Sequence, residues 1–120
     1  MIENVKEKEL NSESMIDDPN TIINAACVKA SSIAKKAKKK DFYDLYFILN
    51  SGLLDAKGLK DAMLSKYYDQ DMLAAFCYSV GYFDDVEDEE IPSQYTQYSW
   101  KQIKKFFRKF QEIFFKAIVK

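Results

Sequence analysis

"SWKQIKKFFRKFQEIFFKA", residues 99–117, is the stretch whose reading decides the fold class. Trp100, Ile103, Phe106, Phe107, Phe110, Phe114 and Ala117 recur at three- and four-residue intervals, the spacing of one helical face. Lysines and Arg108 occupy the opposite face. Ser99 and Gln102 form an S-x-x-Q capping box, the signature of a helix start. A helix with this many phenylalanines on one side needs other elements to cover them, which predicts a packed bundle.

Four more segments read outward from it. Residues 84–98 lack periodicity and contain Pro92, which predicts a long loop. Its acidic part, "DDVEDEE" at 84–90, lacks the glycine and the spacing of an EF-hand and reads as solvated. Met72, Leu73, Phe76, Cys77, Val80 and Phe83 predict a helix over 70–83. Asp55 is placed to cap a helix over 56–67 along Leu59, Ala62 and Met63, with Gly58 weakening its first turn. A further helix over 40–51, stopped by Gly52, carries a stripe of Phe42, Leu45, Tyr46 and Leu49 that Tyr43, Phe47 and Ile48 widen.

Upstream, Asp18-Pro19 opens a helix bearing Ile23, Ala26, Cys27, Ala30, Ile33, Ala34 and Ala37. Its small residues allow close approach by a neighbour. The lysine run breaks the pattern near residues 37–39 and predicts a bend there. No segment alternates with a period of two, so no sheet is expected. The expectation is an all-α protein: a polar arm over 1–20, then a single small bundle of four to five helices over 21–120.

Composition narrows the function classes. At 120 residues the chain fits one domain, and 48% apolar residues suffice for a modest core. Net charge is -1, so no global field draws nucleic acid. With no histidine and no CxxC around Cys27 and Cys77, a structural zinc site lacks ligands. The two cysteines read as buried thiols of a cytoplasmic protein. No apolar run approaches the ~20 residues of a membrane span.

Asp41 and Asp44 are the polar exceptions on the aromatic helix. Three residues apart, they share a face, and Lys29 sits beside the small-residue stripe of the preceding helix. Two readings stand. In one, Asp41 complements the helix dipole and Asp44 makes a surface salt bridge. In the other, the carboxylates form a catalytic or ligand-orienting group with Lys29 as its cation. The lysine run likewise reads as a solvated turn or as a phosphate-binding patch. A single-strand nucleic-acid binder would need exposed aromatics beside that charge, whereas Phe42, Tyr43 and Tyr46 fit the core stripe.

"VKASSIAKKAKKKDFYDLYFIL", residues 28–49, resembles the C-terminal helical part of the AbiEii-like nucleotidyltransferases, toxins of bacterial abortive-infection (type IV) toxin–antitoxin systems. That family reads K-L-x-A-I-x-x-R, a basic linker, then K-D-F-x-D-L-Y-F-L-L. "SVGYFDDVEDEEIP" and "YSWKQIKKFF" resemble its later motifs, so the likeness spans about residues 22–108.

The resemblance implies chemistry that transfers a nucleotidyl group from a nucleoside triphosphate to an acceptor, in some members an RNA, with magnesium ions held by a separate α/β half. It implies Lys29, Asp41 and Asp44 as catalytic or site-completing residues, and Lys29 and Lys36 as phosphate contacts, with no metal ligand among them. Lys36 stands where the family has arginine and lacks that residue's bidentate fork. The family's G-[GS]-[ST] loop and D-x-D pair are absent from this sequence.

The expectation is therefore a truncated or split toxin component, inactive and without cofactor on its own. Magnesium and nucleoside triphosphate enter only with the missing half. That half, or a cognate antitoxin, is the implied partner. The alternatives are a non-catalytic helical interaction module and a small RNA-binding protein.

Overall fold

A computed structural model describes residues 19–119. Five helices are present among them: α1 Pro19–Lys36, α2 Lys39–Asn50, α3 Ala56–Tyr67, α4 Gln70–Ser79 and α5 Trp100–Val119. Two short 3-10 turns, Asp84–Val86 and Ser93–Tyr95, bridge α4 and α5. No strand occurs among the described residues, so the all-helical bundle expected from the sequence is the observed fold. Most of the polar arm expected over 1–20, including the capping Asp18, lies outside the described residues. Pro19 and Asn20 already belong to α1.

The periodicity of α5 becomes its packing. Ile103, Phe107, Phe110 and Phe114 are buried on one side. Phe42 of α2 meets this face at the centre, with ring centroids 5.6 Å from Phe107, 5.8 Å from Trp100 and 5.5 Å from Phe83. Phe76 of α4 packs edge-on against Phe114 at 5.0 Å. Ala26 and Ala30 of α1 are fully buried, and α1 makes its most extensive contacts with α4 and α2. The small-residue stripe thus lets α1 close one side of the bundle.

The helix ends follow local chemistry. Asp55 accepts from the Gly58 amide at 2.8 Å, and Asp69 accepts from the Met72 amide at 3.2 Å. Gly52, after α2, takes φ +85°, which a glycine adopts without strain. Ser99 Oγ accepts from the Gln102 amide at 3.0 Å, as a capping box requires. The other half of that box is not made: Gln102 Nε2 donates instead to the Tyr46 hydroxyl, 3.1 Å away on α2.

Two expectations are corrected. The fourth helix ends at Ser79, not 83. Val80 and Phe83 are still buried, but on a turn. The cause is Gln111 of α5, whose side-chain amide donates to the Cys77 carbonyl at 2.8 Å and to the Tyr78 carbonyl at 3.3 Å. The last turn's acceptors are thereby satisfied from outside the helix. Gly81 makes room for this, since a Cβ there would overlap the Gln111 amide. Gly81→Ala should push the amide off those carbonyls and lower stability by about 1 kcal/mol. Denaturant unfolding of Gly81→Ala, Gln111→Ala and the double variant checks this. The double variant should lose less than the two losses added.

The second correction concerns Phe47. It was expected to widen the buried stripe of α2, yet it is 54% exposed. Positions 41–46 of the same helix are all buried, so Phe47 sits where α2 emerges from the core.

Candidate functional site

The N-terminus of α2 is where charge enters the bundle. Lys38 precedes it in extended conformation, and Asp41, in the first turn, accepts from the Lys38 amide at 3.3 Å. A carboxylate at this position complements the helix dipole. One turn on, Asp44 lies on the side facing α1, and Lys29 reaches it from α1. Lys29 Nζ is 3.0 Å from Asp44 Oδ2 and 3.7 Å from Asp41 Oδ1. Lys40 closes an i,i+4 pair on the same Asp44 oxygen at 2.8 Å.

The second oxygen of Asp44 is also taken. Tyr95, in the second 3-10 turn, donates its hydroxyl to Asp44 Oδ1 at 2.7 Å. Burial alone would raise the Asp44 carboxyl, but the hydrogen bonds from Lys40 and Tyr95 and the charge of Lys29 hold it below the usual carboxylate range. Burial first, then the bond to Asp44 and its charge, drive the Tyr95 phenol well above its ordinary value. The pair is therefore a carboxylate and a neutral phenol at neutral pH.

The segment that carries Tyr95 is held by a second, more buried contact. Lys39 is only 4% exposed although it sits in the lysine run. Its ammonium donates to the carbonyls of Glu87, at 3.0 Å, and Glu89, at 2.6 Å. It also lies 4.7 Å above the Trp100 ring. Its backbone amide, one of α2's unpaired N-terminal donors, goes to Glu89 Oε1 at 2.8 Å. The Glu87 carboxylate in turn accepts from Trp100 Nε1, at 2.8 Å, and Lys104, at 2.9 Å. The acidic stretch is thus a wrap around the start of α2 as well as a surface loop. Farther along, the Tyr43 hydroxyl donates to the Tyr98 carbonyl at 3.0 Å and fixes the segment's other end.

The structure brings Lys29, Asp41 and Asp44 together and adds Lys40 and Tyr95. Lys36 does not join them. It is exposed and lines a separate groove with Lys35, Tyr82, Asp85 and Glu89. Lys40 was legible from its spacing to Asp44. Tyr95 was not, because it lies in a non-periodic segment 51 residues from its partner.

The cluster does not suit a divalent cation. Asp44 Oδ2 is shared by two ammoniums and Oδ1 by a phenol, so a metal would have to displace three donors. Among the described residues no group of three or more His, Cys, Asp or Glu side chains could hold a metal ion. What the arrangement offers is a partly exposed ammonium, Lys29, oriented by two carboxylates.

No helix among the described residues is long and apolar enough to cross a membrane. Cys27 and Cys77 are buried free thiols, and burial raises both above the ordinary thiol range. No family model matches the chain, and no solved structure matches it. An uncharacterized protein of Aquifex aeolicus is similar to it, 36% identical over 84 residues that make up 70% of this chain and 39% of that protein. The chain thus spans well under half the length of this relative.

Proposed function

We propose that this chain is the helical half of an AbiEii-like nucleotidyltransferase, a split or truncated toxin component. Lys29 would meet triphosphate oxygens, Asp41 and Asp44 would orient it, and a companion half would supply the metal-binding carboxylates. The observation that carries the reading is the convergence of these three residues. They come from two helices, and Lys29 lies 3.0 and 3.7 Å from the two carboxylates. Tyr95 and Lys40 hold the group in place, as a site that must be preorganised requires. The Aquifex relative supports the reading too, since more than half its length lies outside the matched segment and leaves room for a second domain.

Calorimetric titration with nucleoside triphosphates, with and without magnesium, tests this. Wild-type protein should bind triphosphate without turning it over, and Lys29→Ala should weaken binding at least ~10-fold, the loss of about one charge-assisted contact. Turnover by this chain alone, or binding indifferent to Lys29→Ala, would overturn the proposal.

A second reading, a protein-interaction module without chemistry, draws on α5. Two apolar grooves flank it: one of about 590 Å³ between Leu49, Leu54, Phe106 and Ile113, one of about 450 Å³ between Ala74, Cys77, Phe115 and Ile118. The exposed large apolar side chains lining them are Ile113, Phe115 and Tyr78, while Phe110 is buried and Phe106 half-buried. Under this reading a companion chain or antitoxin docks on α5, and Lys29→Ala leaves its capture unchanged.

A further inference from the structure

Phe47 has no role in the core, yet it is placed with care. Positions 40, 44 and 47 share one face of α2, so Phe47 stands one turn beyond Asp44 and about 10 Å along the axis from Lys40. Its ring centroid is 6.1 Å from that of Tyr95, with the two planes tilted by 43°. Tyr95 stacks on Tyr43 at 5.7 Å and 22°, and Tyr43 on Trp100 at 6.0 Å and 19°. Three stacked rings, with Phe47 tilted against the last, therefore form a row that starts in the bundle and ends at Phe47, its most exposed member. The inner three are fixed: Tyr43 is fully buried, Tyr95 is bonded to Asp44, and Trp100 is bonded to Glu87. An exposed phenylalanine backed by fixed rings, one helical turn from the carboxylate on which two ammoniums converge, is a combination that single-stranded nucleic-acid and nucleotide sites use.

We propose that Phe47 is a stacking position for a nucleobase, with Lys40 and Lys29 on the adjoining surface to meet that nucleotide's phosphate oxygens. The inference rests on the nucleotidyltransferase reading for the kind of ligand and deepens it by locating the base. A base stacked there lies at the end of the ring row. The Lys40 side chain, 54% exposed, stands along the same helical face. The base belongs either to the triphosphate or to a single-stranded RNA acceptor, and the two sources separate by experiment.

The full chain is titrated in two arms, with a single-stranded RNA carrying one 2-aminopurine and with 2-aminopurine riboside triphosphate plus magnesium. Stacking quenches the probe's fluorescence. Quenching is expected in at least one arm, which identifies the source. Phe47→Ala should weaken binding in that arm roughly 10- to 100-fold and abolish the quench, and Phe47→Trp should restore both. Because Phe47 is exposed, far-ultraviolet circular dichroism should be unchanged in both variants.

Absence of binding or of quenching in both arms overturns the proposal. So does unchanged affinity in Phe47→Ala, and so does Phe47→Ala losing capture of a companion protein while nucleotide binding persists. Triphosphate binding lost in Lys29→Ala but kept in Phe47→Ala removes the stacking site and leaves the nucleotidyltransferase reading standing. Quenching that needs Phe47 but ignores Lys29→Ala and Asp41→Ala keeps the stacking position, strikes Lys29 from the phosphate contact and overturns the nucleotidyltransferase reading.

Discussion

Lys39→Met should cost about 2–4 kcal/mol of folding stability and release the segment between α4 and α5. The methionine keeps most of the apolar stem but cannot donate. The carbonyls of Glu87 and Glu89 lose the ammonium that satisfies them, and Trp100 loses the cation above its ring. Each abandoned acceptor costs roughly 1–3 kcal/mol if it stays buried. The segment escapes part of that by opening toward water, which caps the loss. Urea unfolding measures the cost, and hydrogen exchange locates it. Amides of residues 84–98 should exchange faster while those of α1 keep their relative protection. A stability within ~0.5 kcal/mol of wild type with unchanged exchange would refute the clamp.

The other large effect centres on Asp44. Asp44→Ala strips the acceptor from Tyr95 and Lys40, leaves Lys29 only its 3.7 Å pairing with Asp41, leaves a half-buried phenol unpaired and sets two ammoniums against each other. The expected loss is about 2–3 kcal/mol, below that of a fully buried pair because Lys40 is half exposed.

The pH dependence follows from the two shifts. The folded Asp44 pKa is depressed, so its contribution is present above the unfolded value near ~4 and is lost as pH falls through the folded value. The folded Tyr95 pKa is raised, so its contribution is present below ~10 and is lost as pH climbs beyond that. Urea midpoints followed between pH 2.5 and 7 should show an acid decline in wild type that is flatter in Asp44→Asn. An identical slope in the two would mean that Asp44 carries no depressed pKa.

The helices were largely legible because their signals are local. The 56–67 helix has its capping aspartate, the 40–51 helix its terminal glycine, and the last helix a phenylalanine stripe with a serine cap, and each lies within a residue or so of its expected place. Where expectation failed, a distant residue decided the outcome. The fourth helix stops early because Gln111, thirty-odd residues on, takes over its carbonyls. Lys39 is buried because carbonyls about fifty residues away close over it, and no property of "KKAKKK" marks its fourth lysine as different.

The candidate site divides the same way. Asp41, Asp44 and Lys29 carry helical spacing and a motif, and Lys40 carries an i,i+4 relation. Tyr95 and the ring row that leads to Phe47 exist only through the fold of a segment with no periodicity. The two readings of Asp44 also merge in part. It does make salt bridges, but from a position 9% exposed rather than from open surface.

The enclosure of Lys39 also changes what the lysine run is to the outside world. An acylating reagent needs an accessible, deprotonated amine, and a lysine-modifying enzyme or trypsin needs the side chain drawn out into its own cleft. Lys35, Lys36, Lys38 and Lys40 present theirs, while Lys39 holds its amine against two carbonyls and an indole. Within a tract of near-identical residues the folded protein therefore keeps one chemically silent lysine, and its reactivity would appear only when the segment around it has come away.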